Sequence, residues 1–387
     1  MKSYRINQSN ILILIAIVLN LLMFVDLRLF NVLWKWCPYI NLIFMAWWGL
    51  HENFRRMREG KFLFLCCLFS YLFLASLLNK SSLGALCAFL TIFSVISFFS
   101  KQPFSPLFFK GLSGISLCIL CWYFIHAKSY YSLFKADESH AMNPNSIGMI
   151  TFILYAWLNT YLSRDNVKSK KIAKLCLFFA CIYIELSLKC RSSLIILIFY
   201  TLLFWFMPKK FWTSKIRVSL LTITIFFGGF IFPLYYVRLS KNIDLSIWIY
   251  NLTGKYLFTG RELIWGRFFK ILAQDWLSIW VGPGSNMEYA VGQGFSLHNS
   301  YLGITLNYGI LGFTFLASFI IYKIYHLCSK EISNSQISLL IAYLSILILS
   351  YSEVVLQTTY ITVLVNMLLG LFNNPSFHNK WNNKISL

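Results

Sequence analysis

The chain has 387 residues, of which 58% are hydrophobic, 19% aromatic and only 12% charged, with a mean hydropathy of +0.65. A soluble domain carries roughly 25% charge, so this composition excludes a soluble globular enzyme and predicts apolar segments along the whole length. The formal charge of +21 is no nucleic-acid footprint either, because the basic residues interleave with apolar runs and form no stripe on a soluble fold.

Backbone groups in a bilayer core find no water, so spanning segments are helices or closed barrels. The apolar runs here are continuous and not alternating, which predicts helices. In chain order, spans are expected near 9–26, 32–50, 62–78, 83–100, 111–127, 146–163, 172–189, 192–208, 217–237, 300–322, 336–352 and 354–372. The expected fold is an all-α polytopic membrane protein of about twelve transmembrane helices in a single integral-membrane domain, 1–387, with one large late loop over 238–299. Lys2 and Arg5 precede the first span without a small-residue cleavage site, which predicts a retained helix and not a signal peptide.

Orientation follows from Lys and Arg. With the N-terminus inside, 21 of the 34 basic residues fall in inner segments, and the basic loops Arg55–Lys61, Arg164–Lys174 and Lys209–Arg217 share one side. Both termini are then cytoplasmic. Ten cysteines are scattered, and Cys118 and Cys121 have CxxC spacing in mid-span without a second pair, so they read as small hydrophobes. No Walker motif is present.

Three outer segments are more polar than connectors require. Residues 127–145 end in the turn Asn143-Pro144-Asn145, which either caps the next helix or supplies amides to a sugar-binding vestibule. Lys189-Cys190-Arg191-Ser192-Ser193 joins two spans almost without a loop. Arg191 there either snorkels to headgroups or clamps a phosphate with its planar fork. The loop 238–299 contains Tyr256, Trp265, Trp276, Trp280 and Tyr289, and a loop this long is usually functional. Within it, 261–281 predicts one interfacial helix with Leu263, Ile264, Phe268, Ile271 and Leu272 on one face, ended by Gly282-Pro283-Gly284. Arg261 follows Gly260 at that helix's start, where N–H groups favour anions. Arg261 and Arg267 read either as anion ligands or as a solvated face. The loop closes on His298-Asn299, where an imidazole meets the start of an apolar span containing Gly303, Gly309 and Gly312. It is either an interfacial anchor or a catalyst beside an anionic substrate. Glu353 lies at the outer end of the penultimate span, as an arginine partner or a second base.

The arrangement His-Asn, nine residues, Gly, two residues, Gly (His298, Asn299, Gly309, Gly312) resembles the signature of the O-antigen ligase and polymerase family. TGRELIW resembles the TGR-x-x-x-W stretch of its polymerase members. Asn143-Pro144-Asn145 is similar to the family's entry to a mid-chain span, and Cys190-Arg191-Ser192 stands where the family has a Ser-Arg-Gly-like step, with only the arginine in common. The resemblance covers about residues 140–315.

It implies a GT-C-like, metal-independent glycosyltransferase of the bacterial inner membrane that requires no cofactor and works at the periplasmic face. Its substrate would be an undecaprenyl-pyrophosphate-linked oligosaccharide, met in membrane lipid, with a chain-length regulator as a partner the residues leave unspecified. A sugar hydroxyl would attack C1 of the donor glycan with inversion. Arg191, Arg261 and Arg267 would stabilise the departing pyrophosphate. His298 would take the hydroxyl proton or hydrogen-bond the pyrophosphate, its ordinary pKa near ~6.5 permitting either. Asn299 would orient it, with Glu353, Asn143 and Asn145 as accessories. TGRELIW tilts the reading toward a polymerase, which extends another lipid-linked repeat unit, over a ligase, which delivers the glycan to lipid A–core. A lipid-linked oligosaccharide transporter is the rival of another class, but it would concentrate polar residues near the midplane, where Glu185 is the main one here.

Overall fold

The computed structural model describes residues 8–36, 39, 59–81, 83–137, 142–164, 168–253, 260–284, 287, 296–328, 332–356 and 359–374. Most of the expected second span, the basic loop before residue 59, and Tyr256 and Tyr289 lie outside these residues. Among the described residues all regular structure is helical. The helices are α1 (Gln8–Leu22), α2 (Leu27–Leu33), α3 (Glu59–Leu78), α4 (Leu83–Lys101), α5 (Pro106–Ala136), α6 (Pro144–Leu162), α7 (Lys168–Leu188) and α8 (Arg191–Phe206). They continue as α9 (Lys209–Trp212), α10 (Lys215–Leu239), α11 (Ile243–Thr253), α12 (Arg261–Gln274), α13 (Trp276–Val281), α14 (Ser300–Leu327), α15 (Asn334–Leu349) and α16 (Thr359–Phe372).

Four helical segments are long and apolar enough to cross a bilayer by length and composition: Gly84–Lys101, Pro106–Ala136, Lys215–Leu239 and Ser300–His326. Five shorter apolar helices accompany them, Arg191–Phe206 and Asn334–Leu349 among these. Helices that are apolar all round must lie inside a core or against lipid, and both kinds occur. α6 and α15 are buried along nearly their whole length. α7, α8 and α10 turn Phe179, Leu186, Ile195, Leu202, Leu220 and Phe227 outward. Exposed apolar side chains on this scale fit a hydrocarbon surrounding, not water. The chain is an all-α membrane protein.

Inside, α15 packs on α6, α8 and α16, α16 packs closely on α4, and α10 packs on α14. Buried hydroxyls on these helices find partners within the core. Tyr200 shares a hydrogen bond with Ser338 (2.6 Å), Thr160 with Ser338 (2.7 Å) and Tyr155 with Thr201 (2.8 Å), as polar groups in a low-dielectric interior must.

The outer segments depart from expectation in two places. α5 runs on to Ala136, so most of residues 127–145 extend a helix and form no loop. The expected single helix over 261–281 is two. Asp275 accepts from Leu277 N (3.0 Å) and Ser278 N (3.3 Å), capping α13 and breaking it from α12. The buried side chains of α12 are Trp265 and Phe268, whereas Leu263 is exposed. The inward face therefore starts at Arg261 and follows the i, i+4, i+7 spacing through Trp265 and Phe268.

α13 docks against a defect in α14. At Gly309, α14 has φ 58° and ψ −168°, a region open essentially to glycine alone. A Cβ there would lie 1.9 Å from the Trp280 carbonyl oxygen. The break frees carbonyls, and α3 satisfies them. The Tyr71 hydroxyl is shared between Tyr308 O (2.6 Å) and Trp280 O (2.9 Å). Asn79 Nδ2 donates to Asn307 O (2.9 Å) and Val281 O (2.5 Å). Irregular backbone at membrane depth is tolerated only when buried in protein with such partners.

Candidate functional site

The turn between α7 and α8 sets one wall. Lys189 has φ 55°, and Cys190 N donates to Glu185 O (3.0 Å). This is the six-to-one bond of a left-handed helix end. The reversal takes two residues and leaves Arg191 as the first residue of α8. Beneath it, buried Glu185 accepts from Ser193 Oγ, and its Oε1 has no hydrogen-bond partner. A Cβ on Gly148 of α6 would lie 2.7 Å from Glu185 Oε2 and 2.5 Å from Ser193 Oγ, so α6 approaches this turn only because that residue lacks a side chain.

The second wall is α12 and the segment before α14. Trp265 is fully buried and its Nε1 donates to Leu297 O (2.6 Å). This bond ties the helix that begins at Arg261 to the residue preceding His298. Asn299 caps α14: its Oδ1 accepts from Leu302 N (2.8 Å), while Nδ2 donates to Tyr351 O (2.8 Å) and Gly229 O (3.2 Å). Asn299 is buried, and its amide is engaged with backbone at both its oxygen and its nitrogen, so it holds the segment. Truncating it would orphan buried backbone groups at about 1–3 kcal/mol each.

The third wall is the link from α15 to α16. Ser300 knits it: Ser300 Oγ donates to Glu353 O (3.0 Å) and accepts from Val355 N (2.8 Å) and Leu356 N (3.1 Å). Glu353 is thereby held inside. Its Oε1 receives Arg261 Nη2 at 3.3 Å, Asn145 Nδ2 at 3.4 Å and Ser192 Oγ at 3.4 Å, while Arg261 Nη1 donates to Ser352 O at 2.7 Å. Burial pushes the Glu353 carboxyl up from the usual range, opposed by the neighbouring Arg261.

These walls enclose a cavity of about 520 Å³ whose polar lining includes Asn145, Lys189, Arg191, Ser192, Arg261 and Glu353. Tyr236, Trp265 and Tyr351 line its apolar side. Of the residues singled out in the sequence, Arg191, Arg261, Asn145 and Glu353 converge here. Arg267 faces outward on α12 and Asn143 is an exposed cap, accepting from Asn145 N (2.9 Å); neither lines the cavity. Ser192, Ser352 and Ser300 carry contacts that nothing in their local sequence announces. Among the described residues no three His, Cys, Asp or Glu side chains converge where a metal ion would be held.

His298 is not among the residues that line this cavity; it precedes the Asn299 cap with φ 48°, a conformation histidine tolerates better than most residues. Its backbone N–H donates to Ser296 Oγ (3.3 Å). Burial, and secondly the charge of Arg261, push its imidazole pKa down to about 4, so the ring is neutral at pH 7. An unfolded His binds its proton near ~6.5, hence the unfolded state gains protons first and stability is lost as pH falls from about 6.5 toward 4. Melting the purified protein across this window should show a fall in Tm that His298→Asn, which keeps the left-handed backbone, lacks; parallel curves would refute the depressed pKa.

No family model, curated protein or solved structure matches the chain.

Proposed function

We propose that this cavity receives the pyrophosphate of an undecaprenyl-linked glycan and that the protein is a surface-polysaccharide polymerase. The observation that carries the reading is the grouping of Lys189, Arg191 and Arg261 in one cavity of about 520 Å³, with a neutral imidazole at His298 that feels the charge of Arg261. Cations fixed in a partly dry site stabilise a departing diphosphate without reorganising. A neutral imidazole accepts a proton from an attacking sugar hydroxyl. Cleavage of the anomeric C–O bond leaves the electron pair on the pyrophosphate, and attack from the opposite face inverts the anomeric carbon.

In this reading Glu353 is the resting partner of Arg261, and the incoming diphosphate competes with it for the guanidinium. Asn145 and Ser192 steady the carboxylate while the site is empty. The helices form a GT-C-like bundle of about twelve spans in the bacterial inner membrane, both termini cytoplasmic, with the cavity at the periplasmic face. The reaction needs no metal, since arginine and lysine supply the positive charge. The resemblance of His298-Asn299 and TGRELIW to the polymerase and ligase family supplies the substrate class.

The test is product analysis of purified protein incubated with lipid-linked repeat units, and separately with lipid A–core as acceptor. A ladder of multimers on the lipid carrier, absent with His298→Ala, is expected. Transfer only to lipid A–core would make it the ligase. A full ladder from His298→Ala would remove the imidazole from the chemistry.

A further inference from the structure

A second cavity, of about 590 Å³, opens at the other end of the same helices. Its polar lining is Lys171 and Lys174 at the start of α7, Lys209 of α9 and Asn334, the first residue of α15. α8 relates the two cavities: Arg191 at its first residue lines one, and Phe204 and Trp205 near its last line the other. At 1.5 Å per residue the separation is roughly 20 Å, about two thirds of the average hydrocarbon thickness of a bilayer.

Three features define what this cavity would hold. Lys171, Lys174 and Lys209 line one cavity, and among the described residues no carboxylate pairs with any of them. Lys174 lies over the Phe204 ring at 5.4 Å, which fixes one of them against the wall. Trp212 is buried (1% exposed) in the lining, and its indole N–H has no acceptor among the described residues. A buried donor without a partner is costly, and a phosphate oxygen would satisfy it. The mouth carries exposed Leu175 and Trp205, an apolar approach of the kind acyl chains would follow.

We propose that this cavity binds a phosphate-bearing anion, coordinated by Lys171, Lys174, Lys209 and the Trp212 N–H, with the headgroup of an anionic phospholipid or free phosphate as its source. The volume is within the range of small-ligand sites, and clustered lysines beside a membrane surface attract anionic headgroups. Bound there, the anion would clamp α7, α9 and α15 together at the end remote from Arg261.

The experiment uses the full chain purified in a nonionic detergent, with native mass spectrometry and melting as readouts. The probes are phosphatidylglycerol, phosphatidylcholine and inorganic phosphate. Wild type should retain phosphatidylglycerol over phosphatidylcholine by at least about tenfold. The Lys171→Gln, Lys174→Gln, Lys209→Gln triple variant should retain the two alike, and the corresponding Lys→Arg triple should restore the preference. Trp212→Phe should reduce it by about threefold with the lysines intact. A rise in wild-type Tm with millimolar phosphate, lost in the glutamine triple and without lipid preference, would identify free phosphate as the source. Equal retention of both lipids with no response to phosphate would overturn the proposal, as would an undiminished preference in the glutamine triple. Should that triple fail to fold, the arginine triple and Trp212→Phe decide the matter alone.

Discussion

Gly309→Ala is expected to abolish accumulation of folded protein. Two penalties act together at this position. The backbone, at φ 58° and ψ −168°, belongs to a region that costs a residue with a Cβ about 1–3 kcal/mol. The added carbon would also sit 1.9 Å from Trp280 O and 2.5 Å from Val281 N. Those are main-chain atoms of α13 and have no rotamer by which to move aside. The sum should exceed ~4 kcal/mol, a large part of a typical folding margin. Gly114→Ala is the control: a Cβ there meets nothing within 4 Å, and in α5 the exchange should be neutral or stabilising by up to about 1 kcal/mol. Size-exclusion profiles of the two variants solubilised from membranes separate the outcomes. A monodisperse Gly309→Ala peak of wild-type height would mean that α13 does not dock on the broken helix as described.

The second large effect concerns Arg261→Ala. Turnover of lipid-linked glycan should fall by about 10²–10³, the usual loss when one preorganised charge-stabilising donor is removed. The same change leaves Glu353 buried without its cation, and breaking a buried pair from one side ordinarily costs about 3–5 kcal/mol. Asn145 and Ser192 still donate to the Glu353 carboxylate in this variant and offset part of that cost. A neutral side chain at 353 isolates the two contributions. Arg261→Ala with Glu353→Gln should recover the melting temperature of Glu353→Gln alone yet remain inactive. Recovery of turnover in the double variant would show that Arg261 serves only to neutralise Glu353 and has no direct part in stabilising a diphosphate.

The residues that were legible in the sequence are those whose chemistry is costly in an apolar setting. Arg191, Arg261 and His298 stand out because an ionisable group at a span boundary needs a reason. The structure places the two arginines in one cavity, which His298 does not line. Trp265 was visible within TGRELIW, but its bond to Leu297 O joins segments whose pairing no local pattern encodes. Ser300, Ser192 and Ser352 were invisible for a related reason. A small hydroxyl or a main-chain carbonyl acquires its role only from partners distant in the chain, such as Ser300 with Glu353 and Val355. The break between α12 and α13 has a local mark in the sequence: Asp275 directly before the apolar run Trp276–Val281 is an N-cap residue. The extension of α5 to Ala136 was hidden by its polar residues, which suit a helix leaving the membrane as well as they suit a loop. In the sequence Gly309 is one of three glycines in an apolar span, with nothing to set it apart from Gly303 and Gly312. Its actual use, a main-chain break filled by another segment, depends on Tyr71 and Asn79 more than 200 positions earlier.

That long reach has a bearing on biogenesis. Tyr71 and Asn79 leave the ribosome early, but the carbonyls they serve arrive with α13 and α14, and Glu353 later still. Until then the early helix carries hydroxyl and amide groups with nothing to bind. A nascent chain halted before residue 350 would hold Arg191 and Arg261 but lack the carboxylate that pairs with Arg261. Assembly of the cavity therefore waits on the link from α15 to α16, and a truncation before residue 350 should leave Ser300 and Arg261 without their partners.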